Sequence, residues 1–250
     1  MLIVLSVFLF SCGSVLRFQQ DTYNARNPDR KNFVEKKDGT VIEADEAVLR
    51  TPLFGKSTIE LDRNTKVPVK EIVAYQNNSA YYRRIDGQFG PRIKRGLINM
   101  YQTTETYQSY NAGMTAGSMG RWRTQTRINY HLQKGDSAVV ERFTPAVTRN
   151  YVQSYAPAME FMNVYDANRR SARIWSVVNT TAVLGGILLV MSNGIKEEKL
   201  TGAGYAGLGL TLGGIANGFV NKIRKGRNYK NLELAIDAYN AQVVRKKRRP

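Results

Sequence analysis

The residues best suited to catalysis lie in one short stretch of the chain. His131 is the only histidine, and Asp136 and Glu141 follow it closely. A histidine with a carboxylate could activate a serine hydroxyl, and two carboxylates could act as the acid and base of a glycoside hydrolase. No serine stands in a nucleophile-elbow motif, and both carboxylates fall where a hairpin turn and an exposed strand face expect them. We therefore predict a protein that is not an enzyme, with a cell-wall or glycan-active hydrolase as the alternative.

The sequence also contains a literal G-x-G-x-x-G, at Gly202, Gly204 and Gly207. A dinucleotide-binding fold would need a strand before this motif and an acidic residue about 20 positions after it. The residues before it read Glu-Glu-Lys-Leu, and the next carboxylate is Glu233. A single histidine without clustered carboxylates or further cysteines does not form a typical zinc site. We expect no cofactor and no metal.

Cys12 is the only cysteine of the chain, and it ends an uncharged apolar run over residues 1–11. This layout resembles the lipobox of bacterial lipoproteins, in which a hydrophobic stretch and a small residue precede the cysteine that receives the lipid. Ser11 is the small residue, and Leu9 is the apolar residue two positions before it. The pattern predicts a signal peptide over 1–11 and lipidation of Cys12. In the alternative, residues 2–16 form an anchor helix and the body is cytoplasmic.

Two stretches of 22 residues, 174–195 and 200–221, carry no charge. At 1.5 Å per residue each would form a helix of roughly 33 Å, which matches the hydrocarbon thickness of a bilayer. Between them stands a polar turn, Lys196-Glu197-Glu198-Lys199. The pattern predicts a helical hairpin that enters and leaves a membrane. Burial of the same helices against a partner protein is the alternative.

The second uncharged stretch contains seven glycines. Each would cost about 1 kcal/mol relative to alanine in an exposed helix, unless close helix packing compensates. We predict helix-packing roles for six glycines in the two stretches: Gly185, Gly186, Gly209, Gly213, Gly214 and Gly218. With Cys12, this hairpin resembles the glycine-zipper two-helix lipoproteins of bacterial outer membranes.

The net charge of +17 favours an anionic lipid or an acidic protein as a neighbour. Export argues against nucleic acid. One basic set flanks the hairpin and is predicted to contact lipid phosphates or a partner: Arg169, Arg170, Arg173, Lys222, Arg224, Lys225 and Arg227. A second set combines arginines with an aromatic ring and is predicted to form a partner surface: Arg83, Arg84, Arg121, Trp122 and Arg123.

The fold predicted from these patterns is α+β, with a small antiparallel β roll, barrel or sandwich followed by a helical region. Short strand-like segments support the β part, including 67–75, 93–101, 127–132 and 138–143, of which the last two are joined by a Gln-Lys-Gly-Asp turn. The Asp38-Gly39 turn signals a further hairpin. Pro157 is expected to kink or interrupt the helix that follows Pro145. The predicted organisation is a signal peptide over 1–11, a lipidated tether over 12–31, a β domain over 32–144, an amphipathic helix over 145–172, the membrane hairpin over 173–222, and a C-terminal helix with a basic tail over 223–250.

The order of these pieces resembles that of outer-membrane lipoproteins of the Bacteroidota. The resemblance is carried by Phe-Ser-Cys at residues 10–12, Asp-Gly-Thr-Val-Ile at 38–42, the segment 67–77, and Leu-Ala-Ile-Asp-Ala-Tyr-Asn-Ala at 234–241. It implies an accessory subunit of a secretion, motility or uptake complex, lipid-anchored in the outer membrane. Residues 13–17 lack the acidic residues common after the cysteine in surface-exposed members, so we expect it to face the periplasm. The inner membrane is an alternative location, and a glycan- or lipopolysaccharide-binding module is an alternative function.

Overall fold

The computed structural model describes residue 27 and residues 30–52, 55–111, 121–135, 139–193, 195–196 and 199–247. The predicted lipidation site at Cys12, and Asp136, lie outside these residues. The chain divides into two compact units, one with the described residues up to Tyr151 together with residues 243–247, and the other from Val152 to Gln242. The first is a β unit and the second is helical, so the predicted α+β class is confirmed.

Eight strands of the β unit form one curled antiparallel sheet, a half-barrel, in the order β11-β10-β9-β8-β7-β6-β1-β2. They are β1 (Asn32–Lys36), β2 (Val41–Ala44), β6 (Ile72–Gln76), β7 (Tyr81–Ile85), β8 (Gln88–Lys94), β9 (Ile98–Asn111), β10 (Arg121–Lys134) and β11 (Glu141–Arg142). A second sheet contains β3 (Ala47–Arg50), β4 (Thr58–Leu61) and β5 (Thr65–Pro68). Buried side chains from both sheets, including Val34, Ile59 and Ile72, form one apolar cluster.

The predicted hairpin around Asp38-Gly39 is confirmed as the connection between β1 and β2. Gly39 has a φ of +83°, which an L side chain rarely adopts. The Asp38 carboxylate accepts a hydrogen bond of 2.9 Å from the Thr40 N–H. This bond holds the pKa of Asp38 below its usual value.

The single strand suggested by residues 67–75 is broken in the structure. A 3-10 turn at Val69–Glu71 separates β5 from β6. The guanidinium of Arg84 donates to the carbonyl oxygens of Val69 and Lys70 at 3.1 and 3.0 Å, which stabilises the turn. The break lets β5 and β6 join different sheets.

Strands β9 and β10 are 14 residues each and pair along their whole length. Most side chains over residues 104–110 and 122–127 are exposed. We call residues 104–111 and 121–128 the ribbon. The sequence patterns predicted strands that ended at Tyr101 and began at Arg127. The sequence did not predict the ribbon, because polar residues on both of its faces leave no alternation of apolar and polar residues.

The helices are α1 (Pro145–Val152), α2 (Ala156–Asn193) and α3 (Gly202–Lys247). The helical unit contains the end of α1, all of α2, and α3 as far as Gln242. Two short paired strands, β12 (Ile195–Lys196) and β13 (Lys199–Leu200), connect the long helices. Pro157 lies in the first turn of α2, where a missing N–H is tolerated, so the predicted helix break near it is confirmed. Both long helices run through the predicted boundaries at 172/173 and 222/223.

The buried positions of α2 and α3 recur every seven residues. Seven residues are two helical turns, the spacing of left-handed coiled-coil packing. The buried positions with this spacing are Tyr165, Asn179 and Gly186 on α2, and Gly207, Gly214, Asn221, Asn228 and Ala235 on α3. We call these residues the seam. It changes along α3 from glycine through asparagine to alanine.

Among the described residues, α2 is the one helix that is long and apolar enough to cross a membrane. Its most apolar 18-residue window has a mean hydropathy of 1.9, and only 11% of that window is buried. The low burial distinguishes α2 from the core helix of a water-soluble domain. Large exposed apolar side chains continue on α3: Tyr205, Leu208, Leu210, Leu212, Phe219, Val220 and Ile223.

Candidate functional site

The two long helices approach most closely where glycines face each other. A Cβ built on Gly207 would lie 2.6 Å from the carbonyl oxygen of Gly186. A Cβ built on Gly186 would collide with Thr211, and one on Gly214 would lie 2.7 Å from a methyl carbon of Val183. Backbone contact at this distance admits no side chain larger than hydrogen.

Gly186 and Gly214, two of the predicted helix-packing glycines, are therefore at the contact. Gly185, Gly209, Gly213 and Gly218 are not, because a Cβ on any of them would meet no atom within 4 Å. The third contact residue, Gly207, was missed. The prediction relied on a spacing of four, whereas the contact follows the seven-residue spacing of the seam.

A groove of about 1040 Å³ opens between α2 and α3 at the polar end of the glycine contacts. Its lining combines arginine, asparagine and small or apolar side chains: Val164, Tyr165, Asn168, Arg169, Ser171, Ala172, Arg173, Ser176, Val177, Asn221, Arg224, Arg227, Asn228, Tyr229 and Asn231. None of these residues is acidic. We call this the basic groove.

Four arginines line the basic groove, two from each helix. Arg169 and Arg173 are four residues apart on α2, so they lie on one helix face, and Arg224 and Arg227 lie similarly on α3. Like charges at this spacing repel by a few tenths of a kcal/mol, about 0.2–0.5. An anion between the helices would remove that repulsion.

Two further residues of the predicted basic set do not line the groove. Arg170 and Lys222 are exposed on the same helices but do not line the groove. The side chain of Lys225 is outside the described residues. Adjacent positions on a helix are about 100° apart, so a run of basic residues cannot all face one groove.

A network of asparagines holds one wall of the groove. The Asn228 amide donates to the Tyr165 carbonyl oxygen at 2.9 Å, and its own side-chain oxygen accepts from Asn168 and Asn231 at 3.2 and 3.0 Å. Burial raises the pKa of the adjacent Tyr165, whose ring lies 6.2 Å from that of Tyr229. The wall is therefore fixed by bonds that do not involve the arginines.

Asn221 lies on the seam and lines the basic groove, but it is not part of this hydrogen-bond network. It is only 7% exposed, and neither its amide nitrogen nor its side-chain oxygen has a hydrogen-bond partner among the described residues. A buried polar group left in this state costs about 1–3 kcal/mol. Asn217, one turn away on α3, instead donates to Asn179 across the helix pair at 2.9 Å. No sequence pattern identified Asn221, because its burial depends on the seven-residue seam.

The predicted partner surface of arginines and tryptophan is split by the structure. Arg83 and Arg84 are half-buried on β7, inside the sheet, and Arg84 is engaged with the 3-10 turn. Trp122 and Arg123 are exposed on the ribbon but point to opposite faces, because successive residues of a strand alternate. Arg121 lies at the ribbon end, and its side chain is outside the description. Trp122 instead pairs with Tyr110, with ring centroids 5.2 Å apart.

Of the three candidate catalytic residues, the structure describes His131 and Glu141. His131 is buried, and its Nε2 lies 2.9 Å from the Thr103 hydroxyl. Burial lowers the pKa of His131. Glu141 is exposed on β11, opposite Leu132 in the strand pair. Within the described residues, no three His, Cys, Asp or Glu side chains are grouped to hold a metal ion.

Comparison of the chain with protein families, with curated proteins and with solved structures finds no match.

Proposed function

We propose that this protein is a non-enzymatic, membrane-anchored subunit that organises a larger complex of the bacterial envelope. The observation that carries the proposal is the apolar surface of the paired helices. α2 is 11% buried over its most apolar 18-residue window, and the glycine contacts hold α3 against it. Such a surface is satisfied by lipid or by a partner protein rather than by water.

In this proposal both helices enter the bilayer as a hairpin. α3 carries glycine at two positions of the contact, Gly207 and Gly214. Its remaining outward residues are large and apolar, Leu210, Leu212 and Phe219 among them. The Asn217 amide donates to the Asn179 side-chain oxygen across the pair, the kind of interhelical hydrogen bond expected for helices in lipid. The Asn179 amide nitrogen itself has no partner among the described residues.

A lipid on Cys12 would supply a second attachment, and residues 13–17 favour a position facing the periplasm. The order of predicted signal, β segments and hairpin in the sequence resembles that of outer-membrane lipoproteins of the Bacteroidota. We propose the outer membrane as the location on these sequence grounds.

The ribbon supports the role of a subunit. A two-stranded ribbon is marginally stable alone in water, so exposed residues on it gain from a partner. Tyr107, Tyr110 and Trp122 are 47%, 54% and 66% exposed there. Aromatic side chains with arginine nearby are enriched in protein interfaces, so we assign the ribbon to a protein partner.

Gentle detergent extraction of the tagged protein, followed by identification of what co-purifies, tests the proposal. We expect other envelope proteins to co-purify with the wild type in stoichiometric amounts. They should be lost from the double variant Tyr110→Ala, Trp122→Ala. Val41→Ala, an exposed apolar residue on the edge strand β2, is the matched control and should retain them. A wild-type protein that purifies alone would contradict the proposal.

A glycan- or lipopolysaccharide-binding module is the second candidate, favoured by the exposed Tyr110–Trp122 pair. Aromatic faces of this kind also stack on sugar rings. Retention of the purified protein on immobilised envelope glycan, lost in the same double variant, would support this candidate. Glycan hydrolysis that is lost in Glu141→Gln would instead support an enzyme.

A further inference from the structure

We infer that the basic groove binds the phosphate group of an anionic phospholipid, with Asn221 as a hydrogen-bond donor at its buried wall. The inference rests on the proposed function, because insertion of the hairpin brings lipid phosphates to the polar end of the helix pair.

The charge of the groove selects an anion. Arg169 and Arg173 converge with Arg224 and Arg227 from the other helix, and no lining residue is acidic. The charge of Asp166 acts on Tyr165, but Asp166 does not line the groove. Guanidinium groups bind phosphate oxygens through paired hydrogen bonds, which suits a phosphate better than a halide.

Asn221 provides an independent indication of a ligand. The residue is 7% exposed, and its side chain lines the groove without a partner among the described residues. The neighbouring asparagines at 168, 228 and 231 are bonded to one another. A phosphate oxygen in the groove would accept from the Asn221 amide and satisfy it.

The apolar end of the groove favours a lipid over a free phosphate ion. Val177 lines the groove and is 67% exposed, and Ile174 is 65% exposed beside it. Both belong to the apolar stretch of α2. A ligand with a phosphate and acyl chains would contact the arginines and this apolar surface together, whereas inorganic phosphate would leave the apolar surface uncovered.

The chain contains two tryptophans, and one of them reports on this site. Trp175 lies on α2 between the lining residues Arg173 and Ser176 and is 42% exposed. In a Trp122→Phe background the full-length protein would be placed in nanodiscs of phosphatidylcholine. A small fraction of brominated phosphatidylglycerol, or of brominated phosphatidylcholine, would then quench Trp175 according to its local concentration.

We expect brominated phosphatidylglycerol to quench more strongly than brominated phosphatidylcholine. Arg173→Gln and Arg224→Gln should each lower this preference about tenfold, the loss of one charge-assisted contact. Arg170→Gln removes the same charge next to the groove and should leave the preference unchanged. Asn221→Leu should lower the preference without lowering the melting temperature, because the amide loses no described partner.

The results that would overturn the lipid site differ from the one that would overturn the proposed function. Equal quenching by both lipids in the wild type, an equal loss in Arg170→Gln, or a full preference in Asn221→Leu would each overturn the lipid site. Inorganic phosphate that raises the melting temperature, without any lipid preference, would assign the groove to a free anion and also overturn it. If neither lipid quenches Trp175, the hairpin is not in the bilayer and the proposed function fails instead.

Discussion

At His131, burial and one hydrogen bond decide which protonation state the folded protein accepts. The ring is 6% exposed and lies against Thr103, where a charged imidazolium would lose its hydration. Its pKa is therefore lowered from the ordinary 6.5, the value expected in the unfolded chain. Asn221 is buried too, but unlike His131 its side chain has no hydrogen-bond partner among the described residues. A ligand that accepts from its amide would therefore stabilise it.

The lowered pKa predicts a pH-dependent stability. Above pH 6.5 both states have a neutral His131, and below it the unfolded chain binds a proton that the folded protein resists. The stability contributed by the neutral ring is thus fully present above this pH and is lost as the pH falls. Thermal unfolding between neutral and mildly acidic pH should show a decrease in the wild type and a smaller one in His131→Gln. The same slope in both proteins would show that His131 does not cause it.

At the scale of elements, glycine determines how α2 and α3 pair. Gly186, Gly207 and Gly214 allow backbone contact, whereas other glycines of the same stretch face open space. The glycines at the contact and those facing open space differ only in the helix face on which they lie. The position of each glycine on the seam, rather than the number of glycines, therefore sets the packing.

This difference predicts opposite effects for neighbouring substitutions. Gly214→Leu should separate the helices and destabilise the helical unit by about 1–3 kcal/mol, the usual cost of overpacking. Gly213→Leu, the matched control one residue away, should be neutral or stabilising because a Cβ there meets nothing within 4 Å. Thermal unfolding in detergent, followed through the fluorescence of Trp175 in the Trp122→Phe background, compares them. Equal destabilisation by the two variants would contradict the contact geometry.

Local signals in the sequence predicted local structure well. The Asp38-Gly39 turn, the pairing of β10 with β11, and the helix break near Pro157 follow from turn chemistry and the missing proline N–H. The order of strands in the sheet, the ribbon and the helix face in contact depend on partners distant in sequence. The same holds for the groove: its arginines were visible as charge flanking the hairpin, but the buried Asn221 was not.

For the whole molecule, the account requires two attachments to the membrane. Cys12 should carry a lipid, since its position after Leu9 and Ser11 matches a lipoprotein signal. Growth with a labelled fatty acid should mark the wild-type protein and leave Cys12→Ala unmarked. Equal labelling of the two proteins would exclude lipidation at this residue and favour the anchor-helix alternative for residues 2–16.

The central claim is that the paired helices lie in lipid, and cysteine accessibility tests it most directly. Cys12→Ala leaves a chain without cysteine, into which Leu188→Cys, on the exposed apolar face of α2, or Thr124→Cys, on the exposed ribbon, can be introduced. The purified protein would be placed in lipid vesicles, without partners, and treated with a membrane-impermeant maleimide. The account predicts that the cysteine at 124 reacts at once and the cysteine at 188 reacts only after detergent dissolves the vesicles. A cysteine at 188 that reacts in intact vesicles as fast as the one at 124 would contradict it.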